Sequence, residues 1–123
     1  MKILLIAAAA ILVIASWVDS ADQQVLRDDG TLALVFTTCT PVNVAVFDQR
    51  VHVKCLETAG GIRYFAVSTA DSQKAGRYLS VFTGAILAGR QLSIRYDPDD
   101  STSGPPIGCQ ASDCRVAVAA AIL

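Results

Sequence analysis

Four cysteines, Cys39, Cys55, Cys109 and Cys114, stand in a chain of only 123 residues, and they follow an N-terminal segment built for export. Lys2 precedes the apolar run Ile3 to Ala15, and Ser16, Trp17, Val18, Asp19, Ser20 and Ala21 follow it. That charged, apolar, small order is the pattern of a secretory signal peptide. The apolar run falls short of the roughly 20 residues that cross a hydrocarbon core, so cleavage is expected rather than anchoring. Small residues at the last and third-last positions permit cleavage after Ala15, with Val13, or after Ser20, with Val18, and Ser20 is the expected site. The expected organisation is a signal peptide over residues 1–20 and one domain over 21–123, periplasmic or secreted, with no membrane span.

An even number of cysteines in an exported domain of about 100 residues reads as two disulfides that supplement a modest core. Sequence alone permits three pairings. The gaps of 15, 53 and 4 intervening residues do not form two zinc knuckles, since only the second pair is close. Cys109 is expected to pair with Cys114 and Cys39 with Cys55, contributing about 2 and 3 kcal/mol in the chain-entropy picture. A net charge of −1 without a Lys/Arg cluster leaves no footprint for nucleic acid or an anionic membrane surface.

Periodicity after residue 30 describes strands around a single helix. Leu32, Leu34 and Phe36 alternate over residues 31–38, and Val42 to Phe47 is strand-like again, so 31–47 is either one strand broken at Pro41 or a hairpin. Val51, Val53 and Cys55 share one face of a strand whose other face carries His52 and Lys54. Ala59-Gly60-Gly61 turns the chain into a strand over Ile62 to Thr69. Ala75, Tyr78, Leu79, Phe82, Ala85 and Ile86 then recur at helical spacing, with Thr69 or Asp71 as N-cap and Gly89 as C-terminal stop. Gly76 and Gly84 within that helix imply close approach to the sheet. Gln91 to Tyr96 and Arg115 to Leu123 are the last strands, separated by a Pro/Gly-rich loop over Asp97 to Gly108.

Three strands, a helix and two strands cannot be covered on both faces by one helix, and curling the sheet into a five-stranded OB-fold-like barrel solves the problem. The segments "VKCLETAGGIRYFAVST" from Val53 to Thr69, "AGRQLSIRY" from Ala88 to Tyr96 and "GCQASDC" from Gly108 to Cys114 occur in an informative order. In that order the chain resembles the B subunits of the subtilase cytotoxin and typhoid toxin group over roughly residues 51–115. The resemblance implies an exported OB-fold subunit that assembles as a homopentamer, binds cell-surface glycan and serves an A-type toxin subunit. Two departures matter. Phe65 stands where the family has a second hairpin cysteine, which leaves Cys39 as the partner of Cys55. The family's glycan-binding Ser lies in an Asp-Thr-Ser-Pro-aromatic stretch, whereas Asp48, Gln49, Arg50, Val51, His52, Val53 and Lys54 stand here, so sialic-acid recognition does not transfer at that position.

Signals for catalysis are thin. His52 is the only histidine, it is assigned to a solvated strand face, and no nucleophile motif surrounds any Ser, so a non-catalytic protein is expected with no cofactor and no metal. Asp97-Pro98-Asp99-Asp100 reads as turn chemistry rather than a calcium loop. Three Arg-Tyr dipeptides remain. Tyr78 belongs to the helix core, while Arg63, Tyr64, Arg95 and Tyr96 are the candidate ligand-binding residues, as a polar-aromatic surface for sugar or protein. The alternative to a toxin-like B subunit is a stand-alone envelope or inhibitor protein on the same barrel. The final strand is apolar on both faces, which is met either by a covering neighbour, and hence a homo-oligomer, or by the helix and residues 22–30 of the same chain.

Overall fold

Pro41 decides how the N-terminal strand region folds, because it has no N–H to give to a ladder. The computed structural model of the protein describes residues 33–123, so the expected signal peptide over 1–20 lies outside the described residues. The expected strand is split at Thr40 into β1 (Val35–Cys39) and β2 (Pro41–Val46). Then come β3 (Arg50–Ala59), β4 (Ile62–Ser68), the helix α1 (Ser72–Ala88), β5 (Leu92–Tyr96) and β6 (Cys114–Ile122). A single 3₁₀ turn, Pro105–Ile107, interrupts the long loop between β5 and β6.

The six strands form one sheet in the order β1-β5-β6-β4-β3-β2. All neighbours are antiparallel except β4 and β6, which run parallel with Tyr64 opposite Cys114 and Ala66 opposite Val116. The sheet has six strands, not five, and it is not closed, since no ladder joins β1 to β2. The split at Thr40 is the reason: each half of the broken strand pairs with a different partner, β1 with β5 and β2 with β3. The sheet is nevertheless strongly coiled. Four strand spacings of a flat sheet separate β1 from β3 by about 19 Å, yet Cys39 and Cys55 join them by a disulfide with Cα atoms 5.2 Å apart.

The concave side of this coil holds the core. Phe65, Phe82, Leu92, Ile94, Val53 and Val67 are its largest fully buried side chains, and Tyr96 meets Phe65 edge-on at 4.8 Å between ring centroids. Helix α1 closes the concavity with Ala75, Phe82 and Ala85. Asp71 caps it by accepting the Lys74 N–H at 3.0 Å, and Gly89 stops it in the left-handed region at φ 64°. Gly84 bears out the expected close approach, because a Cβ there meets the Ile122 side chain at 3.2 Å. Gly76 does not: it faces open space, and its cost to the helix has no packing return.

Phe82 is fully buried while Leu87, five residues on, is 82% exposed. Phe82→Ala is therefore expected to cost about 3 to 5 kcal/mol, and Leu87→Ala less than about 0.5 kcal/mol. Thermal unfolding followed by circular dichroism checks this, with a drop of more than about 12 °C expected for the first variant only.

Candidate functional site

Strand alternation on β3 sends Val51, Val53 and Cys55 into the core and leaves Arg50, His52 and Lys54 on the convex face. Across the ladder on β4, Ala66 lies opposite His52 and Tyr64 opposite Lys54. This face is not bare. The loop between β5 and β6 folds back over it, and the Cys109–Cys114 disulfide packs on Ala66, which is completely buried together with a flank of Tyr64 and Ile107. Ala66 is small enough to let the disulfide sit against the sheet.

A long loop needs fixed points to hold that position. Asp100 supplies one by accepting hydrogen bonds from the Thr102 N–H and hydroxyl and from the Ser103 N–H. Hydrogen bonding, from the Ser103 side chain first and then from these groups, holds its carboxyl below the usual carboxylate range. Arg115 supplies another, donating from Nε to the Pro98 carbonyl at 2.9 Å and from Nη1 to the carbonyls of Ala111 and Cys114 at 2.6 and 2.8 Å. Arg50 reaches up from the sheet to the Ile107 carbonyl at 3.3 Å. Gly108 permits that contact. It sits at φ +82°, and a Cβ there falls 2.4 Å from Arg50 Nη1.

Between loop and sheet lies a cleft of about 260 Å³ lined by Arg50, His52, Tyr64, Gly108, Gln110 and Asp113, with Cys114 at its floor. Inside it, His52 is only 9% exposed and its ring lies 5.2 Å from both Phe47 and Tyr64. Arg50 stacks on Phe47 with its guanidinium carbon 4.0 Å from the ring centroid, and donates from Nε to His52 Nδ1 at 3.4 Å. Burial, reinforced by the Arg50 charge, pushes the His52 imidazole below its usual value of 6.5. The cleft thus combines a cation, a carboxylate, an amide, a phenol and aromatic faces in one seat, the mixture that small-ligand sites use to fix orientation.

His52 corrects the sequence reading that put it on a solvated face. Alternation gave the correct side of the strand but not the loop that covers it. Of the residues singled out by sequence, Tyr64 lies in the cleft and Arg63 is exposed beside it. Arg95 lies elsewhere, over the Phe36 ring at 5.4 Å, and Tyr96 is a core residue on Phe65. The two dipeptides do not come together. Tyr64 pairs opposite Cys114 and Arg95 opposite Ala119 along β6, a separation of about 17 Å at strand rise. Arg50, Gln110 and Asp113 carried no local signal, since a ten-residue strand and a Cys-bounded loop meet only in three dimensions. Among the described residues, Cys39, Cys55 and Glu57 are the one group placed closely enough to ligate a metal. Both sulfurs are already joined to each other. Asp97 likewise turns inward, accepting the Asp99 N–H at 3.0 Å as a turn residue does.

No family model, no curated protein and no solved structure matches the chain.

Because His52 is harder to protonate folded than unfolded, the unfolded chain takes up more protons below pH 6.5. The stability that His52 contributes is fully present above pH 6.5 and is lost as pH falls through its lower folded value. Urea midpoints measured between pH 8 and 5 are expected to fall on the acid side in the wild type and to flatten over that window in His52→Gln.

Proposed function

We propose that this protein is an exported, non-catalytic binding module of OB-fold type that takes a cell-surface glycan in the Arg50–His52–Tyr64 cleft. One observation carries the reading: the cleft sets the planar polar groups of Arg50, Gln110 and Asp113 around the Tyr64 and His52 rings. Planar hydrogen-bonding groups suit neighbouring hydroxyls, and aromatic faces suit the C–H side of a sugar ring. The family's serine is not needed, because the seat is built from other side chains.

The strand order supports the barrel. If β1 and β2 count as one strand interrupted at Thr40, five strands follow one another as in an OB Greek key, with α1 between the third and fourth and a parallel pair between the third and fifth. The non-catalytic reading is supported by the histidine itself. Its Nδ1 accepts from Arg50, and the nearest cysteine of the cleft, Cys114, is held in a disulfide. Export is supported by the two disulfides, which persist in oxidising compartments, and among the described residues no helix is long and apolar enough to cross a membrane.

Assembly belongs to the same proposal. Val118, Ile122 and Leu123 remain 47%, 42% and 49% exposed along the final strand, apolar surface that a second copy of the chain would cover. The expected assembly is a homopentamer that presents several clefts and carries an A-type subunit.

Glycan-array binding of the mature protein at pH 7.5 tests the seat. Retention of a defined glycan is expected, with Arg50→Ala and Tyr64→Ala each weakening it more than tenfold and Arg95→Ala leaving it unchanged. Absence of any retained glycan, or equal binding by all three variants, would overturn the reading. Light scattering at micromolar concentration tests assembly. A monomer there would favour the stand-alone envelope or inhibitor protein over the toxin-like subunit.

A further inference from the structure

We propose that Arg50 and His52 form an acid-operated latch: protonating His52 drives Arg50 off the imidazole and off the Ile107 carbonyl, and so releases the loop wall of the cleft. The inference rests on the cleft described above but not on the identity of its ligand.

The geometry is specific. Arg50 makes two contacts with its guanidinium, one to His52 Nδ1 at 3.4 Å and one to the Ile107 carbonyl at 3.3 Å. The first is possible only while Nδ1 carries a lone pair, since Arg is a donor at every accessible pH. A proton on Nδ1 turns acceptor into donor and places a second positive charge, on a residue only 9% exposed, against the first. One of the two groups must move. His52 is wedged between Phe47 and Tyr64 with Ala66 across the ladder, whereas Arg50 is half-buried on the exposed Phe47 ring and is the less enclosed of the two.

The charged and titratable groups that face His52 favour this outcome. Its own strand offers Arg50 and Lys54, both cations. Strand β4 offers Tyr64, whose ring the Lys54 ammonium overlies at 5.8 Å. Strand β2 and the turn after it present Ala45 and Phe47, which are uncharged. The loop contributes one anion, Asp113, on the far wall of the same cleft. An imidazolium is therefore repelled by its strand neighbours and drawn towards Asp113, across the space a ligand occupies. Loss of the Arg50 anchor also removes the side chain against which Gly108 is packed. An exported module with this latch holds its ligand at neutral pH and gives it up on acidification.

Two-dimensional NMR of the mature protein from pH 8 to 4.5 tests the latch without any ligand. The His52 ring resonances and the Ile107 and Gly108 amide resonances are expected to move with one shared midpoint below pH 6.5. In His52→Gln, whose amide oxygen still accepts from Arg50, the two loop amides are expected to stay fixed over that range. Should His52→Gln fail to fold, Arg50→Met serves: His52 then titrates while Ile107 and Gly108 do not respond. A titrating His52 with stationary loop amides in the wild type would overturn the latch, and so would loop amides that shift equally in either variant. If glycan binding at pH 7.5 fails while the shared midpoint is found, the ligand assignment falls and the latch stands.

Discussion

The covalent link between Cys39 and Cys55 sets the shape on which everything else depends. It ties the first strand of the ladder to the fifth, and a sheet constrained in this way has to coil. The corner next to it is held by three further bonds on a single residue. Thr40 gives its N–H to the Glu57 carboxylate, accepts the Leu56 N–H on its carbonyl at 2.8 Å, and accepts Gln91 Nε2 on its hydroxyl at 3.0 Å. Segments from β3, from the connection just before β5 and from the β1–β2 break thus converge on one point. Coiling creates the concave side that Phe82 and its neighbours fill, so a 17-residue helix suffices to complete the core.

The second disulfide acts on the other face and at another scale. Cys109 and Cys114 are five apart and close a short loop, which contributes about 2 kcal/mol in the chain-entropy picture, less than the other disulfide. What they do is local: they make a small apolar plug that sits on Ala66 and fixes Gln110 and Asp113 between them. The neighbouring Gly104 shows how tight that plug is, since a Cβ on it would fall 2.7 Å from the Cys109 carbonyl oxygen. One disulfide builds the concave interior and the other furnishes the convex surface.

Much of this fold was legible in the sequence. Alternation at Val51, Val53 and Cys55, the helical spacing from Ala75 to Ile86 and the Gly89 stop are local signals, and the structure contains the element each one announces, with Asp71 as the N-cap of the two candidates Thr69 and Asp71. Sequence left three disulfide pairings open, and the expected one, Cys39 with Cys55 and Cys109 with Cys114, is the one that occurs. The site was far less legible. Tyr64 stood out because it adjoins an arginine, but that same signal picked Tyr96, which serves the core. The distinction rests on strand phase: Tyr96 shares its parity with Leu92 and Ile94, and Tyr64 is out of phase with the buried Phe65 and Val67. His52 was placed on the correct face and given the wrong environment, because Phe47 and Tyr64 flank its ring from neighbouring elements and the loop that completes the cleft over it arrives more than fifty positions later.

Two arginines hold the covering loop, and they differ in kind. Arg115 spends its donors on the backbone carbonyls of Pro98, Ala111 and Cys114, acceptors whose capacity does not change with pH. Its hold on the root of the loop is unconditional. Arg50 divides its donors between one carbonyl and one imidazole nitrogen, so half of its attachment is to a group that accepts only while it is unprotonated. The loop is consequently pinned at its base and only conditionally at its 3₁₀ turn. A wall anchored in that way can move about a fixed root without loss of the fold beneath it, because the core on the concave side shares none of these bonds.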